Sequence, residues 1–106
     1  MNDFTDMLSK AKEMKKKMEQ IQESLKNIEV EGVSGGNLVK VILKGDYEMK
    51  SIVMDKNVEK EKKEIVNDLV IAAYNDAKDK LKKKTSEELA KATGLPNLPL
   101  DIKLPF

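Results

Sequence analysis

Phe4, Met7, Ala11, Met14, Met18, Ile21, Leu25 and Ile28 recur at spacings of 3 and 4 residues in strict alternation. That is an a/d track, a single apolar stripe along a helix, and it requires another surface to cover it. The spacing predicts a helix from Asp3 to about Ile28, with Asp3 or Thr5 as N-cap and Asp6 suited to the positive helix end. At 1.5 Å per residue such a helix is roughly 38 Å long. A chain of 106 residues has two ways to bury the stripe: fold a second helix back along it, or associate with another chain.

Beyond Ile28 the pattern changes from helical to strand-like. Val30, Val33, Val39, Val41, Ile42, Leu43, Ile52 and Val53 bring β-branched and aliphatic residues in short runs. Ser34-Gly35-Gly36-Asn37 reads as a loop, and Gly45-Asp46 as a two-residue hairpin turn. Three antiparallel strands are expected at about 29–33, 38–44 and 47–54. Val39, Val41 and Leu43 share one face, Ile52 and Met54 share another, and Lys40, Lys44 and Glu48 leave the opposite side wet. A sheet with one dry face needs a helix over it.

That helix is expected from Val58 onward, with Asp55 or Asn57 near its N-cap, because no Gly or Pro occurs between Asp46 and Thr93. Its apolar band is wide at Ile65, Val66, Leu69, Val70, Ile71, Ala72, Ala73, Tyr74 and Ala77. A band broader than a two-in-seven seam implies burial against both the sheet and another chain, with Leu69, Val70, Ala73, Tyr74 and Ala77 at its centre. Past Ala77 the stripe narrows to Leu81, Leu89 and Ala92. Thr85-Ser86-Glu87-Glu88 reads as a capping box, which leaves two courses open there: the helix breaks and restarts, or it runs on. Gly94 is a natural stop. Residues 1–94 thus read as one α+β domain of order α-β-β-β-α. Residues 95–106, with Pro96, Pro99 and Pro105 among regular apolar residues, read as an extended tail, either free or lying in a groove.

Composition narrows the function classes. The chain has no Cys, His or Trp, and its 20 basic residues are all lysine. Disulfides, thiol chemistry and His/Cys zinc sites are excluded, and no side chain has an unperturbed pKa near neutrality. Asp76 and Asp79 lie within reach of Lys80 and Lys83 along one helix, so intrahelical pairing accounts for them better than a carboxylate catalytic pair does. Ser34-Gly35-Gly36 lacks the Gly-Lys-Ser/Thr ending and the following helix of a phosphate loop. No catalytic constellation, metal site or cofactor is expected, nor a small-molecule substrate. The longest apolar run, Leu69 to Tyr74, is too short to span a bilayer. No basic segment precedes an apolar one at the start, so an intracellular location is expected.

The net charge of +1 hides two basic blocks. Lys10, Lys12, Lys15, Lys16 and Lys17 stand against Glu13, and Lys78, Lys80, Lys82, Lys83 and Lys84 stand against Asp79. Two readings are open: a solvated helix face, or contact with phosphates. Lysine without arginine is a point charge lacking the planar fork that reads guanine edges. DNA binding through such residues is backbone-directed and falls steeply with salt.

The ordered set of segments resembles the YbaB/EbfC family of small bacterial nucleoid-associated proteins over nearly the whole chain. The resemblance rests on Met14-Lys15-Lys16-Lys17-Met18-Glu19-Gln20 and on Gly32-Val33-Ser34-Gly35-Gly36-Asn37-Leu38-Val39-Lys40-Val41. It continues through Gly45-Asp46, Ile52-Val53-Met54-Asp55 and, most sharply, Asp68-Leu69-Val70-Ile71-Ala72-Ala73-Tyr74-Asn75-Asp76-Ala77, to the ending Leu104-Pro105-Phe106. The resemblance implies an intertwined homodimer with helical arms that project like tweezers and bind double-stranded DNA, and a place in the cytoplasm at the nucleoid. Where relatives can carry arginine, this chain has Lys78 and Lys80, which implies little sequence preference. On this picture Phe4–Met18 zips to the second helix near Leu81 and Leu89, and the two lysine blocks come together on each arm. The alternative is a coiled-coil, prefoldin-type module that holds protein clients through exposed hydrophobes at Phe4, Met7 and Leu8.

Overall fold

A computed structural model describes residues 3–94; the expected tail at 95–106 lies outside the described residues. Helix α1 spans Asp3–Lys26, strands β1, β2 and β3 span Glu29–Ser34, Val39–Lys44 and Met49–Met54, and helix α2 spans Lys63–Thr93. The order is the expected α-β-β-β-α. The sheet is antiparallel in the order β1-β2-β3.

Helix α1 carries Asp3 and Asp6 in its first turn and Lys26 in its last, as the helix dipole favours. It stops two residues short of Ile28. Its final carbonyls, on Ser24 and Leu25, instead accept the N–H groups of Asn27 and Ile28 at 3.3 and 3.2 Å.

Strand β2 is the centre of the core. Val39, Val41 and Leu43 are fully buried, and the alternate residues face outward. Their partners on the same face are Ser34, Gly32 and Val30 of β1 and Met54, Ile52 and Met49 of β3. Helix α2 lies over the β1 side of this face, contributing buried Ala73, Ala77 and Leu81. Ile21, Leu25 and Ile28 close the core from the α1 side, and Val58 adds to it from the turn after β3.

Two glycines are there for close approach. A Cβ on Gly32 would fall on the Ala73 carbonyl oxygen and on the Ala77 amide nitrogen and methyl. Gly32, Ala73 and Ala77 are thus the small residues that let α2 rest directly on β1. A Cβ on Gly45 would fall on the Leu25 carbonyl, so Gly45 seats the second hairpin against the end of α1.

That hairpin differs from the expected two-residue turn. Tyr47 N–H bonds to Lys44 O at 2.8 Å, Lys44 N–H bonds to Glu48 O at 2.9 Å, and Tyr47 itself has φ 68°. The connection is a three-residue loop, Gly45-Asp46-Tyr47, closed by a left-handed residue. Asp46 Oδ1 accepts Glu48 N–H at 3.0 Å. The register then shifts by one between Ile42 and Leu43, where β3 has one extra residue, and regular β3 begins at Met49.

Helix α2 also differs from the sequence expectation. Asp55 caps a short 3-10 turn over Lys56–Lys60, accepting Asn57 N–H, and the α-helix begins only at Lys63. It then runs unbroken through Thr85 to Thr93. The capping box at Thr85 is overridden by packing: Leu81 is buried and Leu89 packs against the same core, so one face carries the helix through. Gly94 ends it with φ 73° and donates its N–H to Ala90 O at 2.8 Å.

Candidate nucleic-acid interface

The molecule is long, with extents of 74 × 23 × 18 Å. Its radius of gyration is 19.2 Å, against about 13 Å for a compact chain of this length. The two helices cause this. They run antiparallel and out of step. Leu81 shares the core with Ile21, Leu25 and Ile28, and Glu88, Lys91 and Ala92 line one groove with Lys17, Gln20, Ile21, Ser24 and Leu25. Helix α2 therefore ends level with about Lys17, and the first half of α1 extends beyond it.

Every residue of α1 from Asp3 to Gln20 is exposed. Lys10, Lys12, Lys15, Lys16 and Lys17 stand on this extension, and among the described residues none forms an ion pair or side-chain hydrogen bond. Phe4, Met7 and Met14 are exposed there too, so Phe4–Met14 does not zip to α2 as expected; α2 has already ended.

The second block lies elsewhere. Lys80 Nζ donates to the Glu31 carbonyl at 3.1 Å, which places Lys80 beside β1, and Leu81 packs near the C-terminal end of α1. The centre of the block is about 20 Å along the helix axis from that of Lys10–Lys17, at 1.5 Å per residue. The two blocks do not merge within one chain. Lys83 and Lys84 are exposed, whereas Lys78 and Lys82 are half-buried.

Lys80 belongs to a fastening. Its Nζ lies 2.9 Å from Asp76 Oδ2, which also accepts the Val33 N–H at 2.9 Å. Ser34 Oγ donates to Leu69 O at 2.6 Å. Val33 N–H and Glu31 C=O point away from β2, on the outer edge of the sheet, and α2 satisfies them both. The Lys80 ammonium, then the Val33 N–H, hold the Asp76 carboxyl below its ordinary value of 3.8, against a smaller opposing effect of burial. The i,i+4 pair of Asp76 with Lys80 is as the sequence implied. The second bond of each residue, to β1, was not anticipated. Its only sequence signal is that Gly32-Val33-Ser34 forms an edge strand whose outward groups need partners.

Of the central residues named from the width of the apolar band, Ala73 and Ala77 are fully buried, and Leu69, Val70 and Tyr74 pack partly against the core. Ile65 and Ile71 on α2, and Met49, Ile52 and Met54 on the dry face of β3, remain exposed at 40–59%. Among the described residues there is no cluster of His, Cys, Asp or Glu that could hold a metal ion, and no helix long and apolar enough to cross a membrane.

Comparison with known proteins agrees with this architecture. The chain is 45% identical to a nucleoid-associated protein of Agrobacterium fabrum over the full length of both. It is 43% identical to a nucleoid-associated protein of Bartonella bacilliformis, covering 100% of this chain and 99% of that one. The crystal structure of an uncharacterized protein of Helicobacter pylori superposes with a TM-score of 0.70 at 25% identity, covering 86% of this chain and 96% of that one. The family model described as the YbaB/EbfC DNA-binding family matches residues 1–95, which span both helices and the sheet. By its sequence over residues 1–95, this chain belongs to the YbaB/EbfC DNA-binding family.

Proposed function

We propose that the protein binds double-stranded DNA at the nucleoid as a homodimer, through lysine–phosphate contacts that carry little sequence information. The observation that carries this reading is the α1 extension, a stiff arm whose five lysines are exposed and unpaired among the described residues. Lysines on a rigid helix are displayed at fixed spacing and need no further ordering of the backbone on meeting a rod of phosphates. The homodimer is supported by Met49, Ile52 and Met54, a half-exposed apolar face of β3 beside the core. A two-fold mate over this face doubles the arms. Lys83 and Lys84 supply further charge near the body, whereas Lys80 serves the fastening to β1.

The test is a titration with duplex DNA at several salt concentrations. Lys15/Lys16/Lys17→Glu should weaken binding strongly and flatten the salt slope by about 0.9 for each phosphate no longer neutralised. Lys82/Lys83/Lys84→Glu should act in the same direction, and Lys80→Gln should lower stability more than it alters the slope. Unchanged affinity in both triple variants would overturn the reading. The client-holding alternative draws on the exposed Phe4, Met7 and Leu8, and binding that persists at high salt would favour it.

A further inference from the structure

The α1 extension presents an apolar seam without cover among the described residues. Phe4 is 72%, Met7 67% and Met14 69% exposed, and Ala11 between them is exposed too. These four hold the a and d positions of two heptads, along about 15 Å of helix at 1.5 Å per residue. We infer that this seam seats an amphipathic helix of another protein, one with apolar a and d positions and acidic flanks. Resting on the DNA reading above, that helix and DNA exclude one another on the arm.

What selects the partner is the charge beside the seam. In the heptad frame Lys15 holds an e position, and Lys10 and Lys17 hold g positions. Asp6 and Glu13 hold c positions, on the far side of the helix. Every charge that borders the seam between Phe4 and Met18 is therefore positive. Residues at e and g lie against the flanks of a paired helix and set which partner is accepted. An acidic flank meets these lysines with attraction at each, and among the described residues none of the three is tied in an ion pair of its own. Met7 and Met14 add tolerance, because methionine adapts its shape to the side chains laid on it. A bound acidic helix neutralises Lys10, Lys15 and Lys17, so the same lysines are then lost to phosphate.

Other occupants fit less well. The arm of a second copy carries the same flanks. Antiparallel pairing sets e against e and g against g, and parallel pairing sets g against e, so lysine meets lysine in either sense. An anionic membrane surface would attract the lysines, but it suits a helix with a broad apolar face. Here the face is a two-in-seven seam, widened only by Leu8, and Phe4 is its one aromatic residue. A seam this narrow matches the width of one helix. DNA takes up the lysines and leaves Phe4, Met7 and Met14 in water, so phosphate contacts explain the charge and not the seam.

The test titrates the full-length chain into a fluorescent peptide of about three heptads, with Leu at a and d and Glu at e and g. The peptide should bind, and a control peptide with Lys at e and g should not. Met7→Ser/Met14→Ser should weaken peptide binding by about tenfold or more. Both side chains are exposed, so the same variant should keep its unfolding midpoint and its affinity for duplex DNA. Unlabelled peptide should release bound duplex from the natural chain. Absence of peptide binding would overturn the inference. So would equal binding of the control, or binding that the two serines leave unchanged. A solution mass lowered by the two serines would overturn it in favour of a second copy. Seam-dependent attachment to vesicles of anionic phospholipid, without peptide binding, would overturn it in favour of a membrane. The DNA reading fails separately: a chain that binds the peptide and no duplex would remove the exclusion and leave the seat standing.

Discussion

At the scale of single residues, the joint between β1 and α2 depends on what Gly32 lacks. Because the groups a methyl would strike are backbone atoms of Ala73 and Ala77, no rotamer change relieves the overlap. Gly32→Ala should therefore cost about 3 kcal/mol, the upper end of overpacking penalties, seen as a lower denaturant midpoint. Asp76 acts beside it. Its native pKa is lowered, so its contribution to stability is complete above the unfolded value of 3.8 and is lost as pH falls through the lower native value. Denaturant midpoints measured between pH 5 and 2 should show a steeper acid decline for the natural chain than for Asp76→Asn. The pairing of Asp76 with Lys80 was legible because helical spacing alone brings i and i+4 together. Its reach to Val33 was not, since that bond depends on where two distant elements dock. Gly45 shows the same division. The sequence marks it as a turn glycine, yet the left-handed residue is Tyr47, and Gly45 is required by the Leu25 carbonyl across the fold.

At the scale of elements, the helices and strands follow their periodicities closely. The a/d track locates the C-terminus of α1 within two residues, and the alternation of Val39, Val41 and Leu43 identifies the buried face of β2. The misreadings lie where local chemistry and packing disagree. Thr85-Ser86-Glu87-Glu88 is a sound start signal, but a capping residue must leave the helical conformation, and Leu81 and Leu89 hold the segment inside one helix. Ser86→Pro separates the two cases. A helix restarting at Thr85 tolerates proline in its first turn, whereas a continuous α2 loses about 3 kcal/mol or more. We expect the loss, recorded by circular dichroism as reduced helicity and by faster amide exchange beyond residue 82. The offset between α1 and α2 was equally hidden. Both helices have seams, and their offset is set through the sheet, on which Gly32 seats Ala73 and Ala77 of α2 and Gly45 seats the end of α1.

At the scale of the whole molecule, the inner face of β3 stands half open. Ile52 is 40% and Met54 43% exposed although their strand neighbours Val41 and Val39 are fully buried. If a second copy covers this face, thermal stability rises with protein concentration. Ile52→Lys should then sediment as a single chain, unfold at a lower temperature and lose its concentration dependence. An unchanged sedimentation profile would place the mate elsewhere. On α2 the wide apolar band divides: Ala73 and Ala77 are buried in the core, whereas Ile65 and Ile71 are exposed at 44% and 59%. Which lysines belong to the arm was harder to read, since that depends on the offset.

The fastening of β1 by Asp76 and Lys80 makes the two margins of the sheet unequal. On the β1 margin two outward backbone groups, the Val33 N–H and the Glu31 carbonyl, are taken up by α2. A sheet open at both margins can add strands without limit. A sheet open at one can join a single twin, and that union consumes both openings. Strand addition at the β1 margin therefore meets an obstacle: one carboxylate and one ammonium group, placed far from the α1 extension, occupy backbone groups that an added strand would need.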